Sequence, residues 1–129
     1  MENMTRYTNY LVMGCLLMMS LLSACGASDD KPVEKSDLTG VWELVYAERD
    51  GKQTETLTDL FLHFEGEDRV ITNFNGIDTT NTAYNLTDKK LEVLDTQPYA
   101  FDVLSIEDDI MILEINIRDI LFEMHFRRI

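Results

Sequence analysis

The chain has 129 residues, 45% of them hydrophobic, 27% charged and 9% aromatic, a length that supports one small domain. Twenty-four acidic residues against 11 basic ones set a formal net charge of −13, and a field of that sign repels phosphate backbones, which excludes nucleic acid as a partner. Two Pro and 6 Gly exclude collagen-like and low-complexity chains, and 2 Cys are too few for a disulfide scaffold.

The first nine residues are polar, with Arg6 as their single base beside Glu2. From Tyr10 to Leu22 the run YLVMGCLLMMSLL carries no charge. As a helix it spans about 20 Å, short of the ~30 Å hydrocarbon core of a bilayer. It reads as the apolar region of a signal peptide. The run ends in Leu22-Ser23-Ala24-Cys25, which resembles the lipobox of bacterial lipoproteins. The resemblance implies that residues 1–24 are a lipoprotein signal peptide and that the Cys25 thiol receives a diacylglyceryl group. Cleavage before Cys25 then frees an amine for a further acyl chain such as palmitate. Several acyl chains together anchor a protein stably, where one is marginal.

Gly26 stands where that family places Asp for retention in the inner membrane, so the resemblance implies passage to the outer membrane. The domain would there be periplasmic or surface-exposed. Asp29-Asp30 is either a short acidic export signal or part of a solvated tether. Residues 25–37 are polar, contain Pro32 and show no period, which predicts a flexible linker. With Cys15 in the apolar run and Cys25 carrying lipid, removing residues 1–24 leaves 105 that fold without thiol or disulfide. A thiolate metal site and a cysteine nucleophile are excluded with them.

Residues 38–129 alternate apolar and polar side chains with turn signals every 8 to 12 residues, the pattern of an all-β protein. In Val41–Glu48, Trp42, Leu44 and Tyr46 share one face, and Asp50-Gly51 supplies a tight turn. Leu60–Glu65 sets Leu62 and Phe64 on one face, and Glu65-Gly66-Glu67-Asp68 turns into Val70–Phe74. Thr80–Leu86 aligns Thr82, Tyr84 and Leu86, and Asp88-Lys89-Lys90 leads into Leu91–Leu94. Tyr99–Ile106 changes phase between Phe101, Val103 and Leu104, Ile106, the signature of a bulge. Ile110–Ile117 and Ile120–Ile129 follow. About eight antiparallel strands joined by short turns, without a long helix, predict an up-and-down barrel, because closure removes the exposed edges. A two-sheet sandwich is the architectural alternative.

Leu38-Thr39-Gly40-Val41-Trp42 resembles the G-x-W opening of the lipocalin-like families, in particular the small lipidated members in bacteria. Leu62-His63-Phe64, Ala83-Tyr84-Asn85-Leu86 and the ending Phe126-Arg127-Arg128 are similar to later strands of the same families, although Glu67-Asp68 replaces their usual Asp-Gly. The resemblance implies an eight-stranded barrel, often with an apolar ligand. It also implies that Gly40, Trp42 and Arg128 close one end, with the guanidinium packed on the indole. By alternation Arg128 is in phase with Phe122, Met124 and Phe126; the rival arrangement leaves both terminal arginines in water.

No catalytic constellation stands out. Ser105 lies in no G-x-S-x-G context, and nothing selects a pair among the many carboxylates. His63 and His125 fall on different strands, and the acidic turns lack the spacing of a calcium loop, so neither a metal site nor a cofactor is predicted. Two functions follow. In the first, an interior lined by Tyr46, Leu62, Phe64, Tyr84, Phe101 and Phe122 holds a small apolar ligand, unless those side chains simply fill it. In the second, an envelope interaction or inhibitor protein uses its acidic surface to bind a cationic protein partner.

Overall fold

Nine antiparallel strands carry most of the described chain, residues 31–76 and 78–129 of this computed structural model. They are β1 (Gly40–Arg49), β2 (Lys52–Thr54), β3 (Phe61–Glu65), β4 (Arg69–Thr72), β5 (Thr80–Thr87), β6 (Lys90–Leu94), β7 (Tyr99–Glu107), β8 (Ile110–Ile117) and β9 (Ile120–Arg128). Eight of them form a meander from β1 and β3 to β9, and β9 pairs back onto β1, so the sheet closes into a barrel. The sandwich is thereby ruled out. The predicted signal peptide, Cys25, Gly26 and the Asp29-Asp30 pair lie outside the described residues.

Inward positions follow the period-two pattern, and the core is a single cluster that includes Trp42, Leu62, Phe64, Tyr84, Leu91, Phe101, Met111, Met124 and Phe126. Short turns hold the register. Asp50-Gly51, Asp108-Asp109 and Arg118-Asp119 each have φ between +49° and +76°, as two-residue hairpin turns of matching twist require. Only the first of the three contains a glycine.

The period breaks twice. The register of β1 against β9 shifts between Leu44 and Tyr46, which leaves Val45 as the extra residue of a bulge. The second slip, between Val103 and Ser105 of β7, is the bulge expected there, and it extrudes Leu104 and turns Ile106 back toward the core. The first slip was not expected, and it corrects one assignment. Beyond Val45 the inward position passes to Ala47, 1% exposed, while Tyr46 faces outward at 37%. Tyr46 is therefore not a lining residue; an extra residue in the strand inverts every side chain after it.

Two elements were not anticipated. The hairpin from β1 returns as β2, which pairs with Ala47–Arg49 where β3 has already diverged. The end of the predicted linker is folded rather than flexible. The compact unit begins at Pro32, and Lys35–Leu38 form a one-turn helix, α1, whose Leu38 is fully buried. Asp37 accepts a hydrogen bond from the Glu34 backbone at 2.9 Å, which starts the turn.

Topology separates the two ends. The turns after β3, β5 and β7, together with α1 and the C-terminus, lie at one end; the β1–β2 hairpin and the loops after β4 and β6 lie at the other. Replacing Arg118-Asp119 by Asn-Gly, the pair best suited to this turn, relieves the positive-φ cost without changing net charge. Stability should rise by about 1 kcal/mol, read as a higher denaturant midpoint at unchanged slope.

Candidate functional site

At the first end, Gly40, Trp42 and Arg128 come together. Trp42 and Arg128 are cross-strand partners at the closing seam, and the Arg128 guanidinium carbon lies 4.4 Å from the indole ring centre. Gly40 has φ of +120°, which disfavours any side chain, and a Cβ there would lie in ordinary van der Waals contact with the Arg128 stem at 3.6 Å, so it is the backbone conformation that calls for glycine. The guanidinium donates to the carbonyls of Thr39 at 3.1 Å and Asp37 at 3.0 Å, and the indole N–H donates to the Leu38 carbonyl at 2.7 Å. The carbonyls that a helix leaves without partners at its C-terminus are thus satisfied by two barrel side chains. Asp109 Oδ1 lies 3.2 Å from Arg128 Nε but off the N–H direction, so it serves as a counter-charge and not as an acceptor. This end is sealed.

The interior is occupied by its own side chains. Leu62, Phe64, Tyr84 and Phe101 are at most 1% exposed and Phe122 is 8%. Phe64 meets Tyr84 edge to face at 5.1 Å. The Tyr84 hydroxyl has no hydrogen-bond partner, and burial, with Glu67 and then Asp68 nearby, raises its pKa. Lys35 of α1 lies 5.4 Å from the centre of the same ring.

The second end is built differently. Thr72, fully buried, donates to the Phe61 carbonyl at 2.7 Å and accepts from the Phe74 N–H at 3.2 Å. The Asn73 side chain accepts from Phe61 N–H and donates to the Asp59 carbonyl. These bonds set Phe74 against Tyr99 at 4.8 Å and Phe101 at 5.0 Å, an aromatic trio at the barrel mouth. The Tyr99 hydroxyl is buried without a partner, and burial first, then Asp95, raises its pKa far above the usual phenol value. Beside the trio opens a cleft of about 400 Å³ lined by polar side chains, among them Asn75, Thr80, Asp95 and Thr96. Asn75 donates to Asp95 across it at 3.3 Å.

Sequence reasoning placed Phe101 inside but missed Phe74 and Tyr99 as its partners. The usable signal was Asn73-Phe74-Asn75-Gly76, an aromatic held among turn-forming residues. The two histidines stay apart on the outer wall: His63 lies 4.0 Å from Glu65, and His125 bonds Glu123 at 2.7 Å while stacking on Tyr46. Among the described residues no three His, Cys, Asp or Glu converge as a metal site would require, and no helix is long and apolar enough to cross a membrane. Set against family models, curated proteins and solved structures, the chain matches none.

Arg128→Ala leaves two carbonyls without their donor and should cost about 2–3 kcal/mol, with little recovered by Arg128→Lys, whose ammonium lacks the planar fork. Arg127→Ala, on the outer face, should stay within about 0.5 kcal/mol. Denaturant midpoints of the three variants test this. Tyr99→Phe removes a buried hydroxyl that bonds nothing and should be neutral or stabilising at pH 7. Because the folded phenol pKa is raised, its contribution to stability is complete below the unfolded value near 10 and is lost as pH climbs above it. The variant should therefore lose less stability than the parent between about pH 8 and 11.5, followed by denaturant melts at each pH.

Proposed function

We propose that the protein is a lipid-anchored, lipocalin-like barrel of the cell envelope, held at the outer membrane through Cys25, that takes a small apolar ligand at its open end. The observation that carries the reading is the contrast between the barrel's ends. One is sealed by Trp42, Arg128 and α1; the other leaves Phe74 and Tyr99 half-buried over Phe101, next in sequence to the residues of a polar cleft. An eight-stranded interior is just filled by side chains, so the ligand would seat at the mouth rather than along the axis. The Tyr99 hydroxyl, buried without a partner, could donate to a single polar atom on an otherwise apolar molecule. The lipobox resemblance supplies the anchor, and Gly26 the outer-membrane destination.

Residues carrying out chemistry are not part of this reading. A second reading, a cationic protein partner drawn to the acidic surface, is favoured by the cross-strand alignment of carboxylates on one outer wall.

Expression in a Gram-negative host with labelled palmitate tests the anchor: label should enter the protein and be absent from Cys25→Ser. Persistent label on that variant overturns the lipoprotein reading. Native mass spectrometry of the detergent-extracted protein should reveal a retained apolar molecule, and Phe74→Ala should weaken its recapture about tenfold, the equivalent of 1.4 kcal/mol. An empty protein with no affinity for apolar dyes at the Phe74 end overturns the ligand.

A further inference from the structure

The outer wall made by β7, β8, β9 and β1 carries two adjacent rows that the barrel itself does not require. The first is apolar. The two bulges expel Val45, 51% exposed, and Leu104, 44% exposed. Between them, on successive strands, stand Tyr46, His125 and Ile112: Tyr46 pairs with His125, His125 with Ile112, and Ile112 with Ser105 beside Leu104. Bulges help a closing sheet to coil, which accounts for the extra residues but not for large apolar side chains on them.

The second row lies one outward-facing position nearer the open end and is acidic. Glu48 pairs with Glu123, Glu123 with Glu114, and Glu114 with Asp102. Like charges directly opposite each other destabilise a sheet. Two members of the row find some relief, since Lys90 lies 3.8 Å from Asp102 at one end and His125 bonds Glu123 within it. Among the described residues, Glu48 and Glu114 have no cation within ion-pairing distance. The wall therefore holds a repulsive row beside an uncovered apolar one.

We propose that this wall docks a cationic amphipathic segment of a partner protein, laid across the four strands with apolar side chains on the Val45–Leu104 row and Lys or Arg on the carboxylates. The inference rests on the second functional reading and not on the ligand. Charge selects the occupant. An anionic lipid surface is repelled by the row, and a second copy of this chain would set four carboxylates against four. Dimensions agree: four strands span about 14 Å, and rows two residues apart lie about 7 Å from each other. About three turns of helix cross that width, with one face on each row.

The full chain is titrated with a Leu/Lys amphipathic peptide about four turns long, followed by fluorescence anisotropy at low and physiological salt. The expected result is saturable, salt-sensitive binding, weakened about tenfold or more by Glu48→Gln with Glu114→Gln and Glu123→Gln. Val45→Ser with Leu104→Ser should weaken it comparably, and Glu65→Gln with Glu67→Gln and Glu92→Gln, which removes the same charge elsewhere, by less than about twofold. The Glu48, Glu114 and Glu123 variant should also show a higher denaturant midpoint than the parent, which separates lost binding from lost folding. Equal weakening by both charge-removing triples overturns the wall while leaving the cationic-partner reading standing. Absence of saturable binding to any variant overturns both. Dimer formation or vesicle binding that depends on Val45 and Leu104 assigns the face to a second copy or a membrane and overturns the proposal.

Discussion

Closing a sheet of eight short strands depends on one seam, and here the seam is β1 against β9. The two strands it joins are the first and last along the chain, so its pairing carries the largest loop-closure cost of the fold. The Arg128–Trp42 stack sits at the last rung of that seam. Its effect is multiplied because the same two side chains also bond the carbonyls of α1, which tie the chain entering the barrel to the chain leaving it. Gly40 is part of the same arrangement, since its left-handed φ of +120° starts the strand beside the Arg128 stem. Loss of the guanidinium would release the floor and the seam together.

Sealing one end and filling the axis pushes any activity to the other surfaces. The side chains of Leu62, Phe64, Tyr84 and Phe101 use their apolar area on one another, as expected for a barrel of this girth. What is left is the mouth, where Thr72 and Asn73 hold Phe74 over Tyr99 and Phe101, and the outer wall. The mouth is the only one of the two where a buried hydroxyl lacks a partner beside an open cleft among the described residues. The wall offers instead exposed apolar area and uncompensated negative charge.

The same acidic composition serves different physical ends in different places. In the hairpin turns Asp50, Asp88, Asp108, Asp109 and Asp119 all adopt positive φ, a conformation that Asp tolerates better than most residues. Asp109 additionally faces Arg128 across the closed end. In the strands, by contrast, Glu48, Glu114 and Glu123 oppose one another across the sheet, a repulsion that the His125–Glu123 bond offsets only in part. A net charge of −13 is thus partly turn chemistry and partly surface field.

Strand alternation and the Asp-rich turns made the barrel and most of its inward face legible from the residues alone, because each depends on neighbours within a few positions or on a period of two; the closed end of Gly40, Trp42 and Arg128 was implied only by the resemblance of the opening and closing motifs. The bulge in β7 was legible for the same reason, as Phe101, Val103 and Leu104 change phase within one apolar run. Its counterpart in β1 was not, since Trp42, Leu44 and Tyr46 alternate without a break; only pairing with β9 reveals that Val45 is extruded and Tyr46 turned outward. α1 and β2 escaped notice because a one-turn helix and a three-residue strand owe their existence to the barrel they pack on, not to propensity. The aromatic trio joins residues 74, 99 and 101, and the carboxylate row joins residues 48, 102, 114 and 123. Composition and period determined that such residues exist and which way most of them point; which of them meet was decided by strand register, a property of pairs distant in sequence that no local pattern encodes.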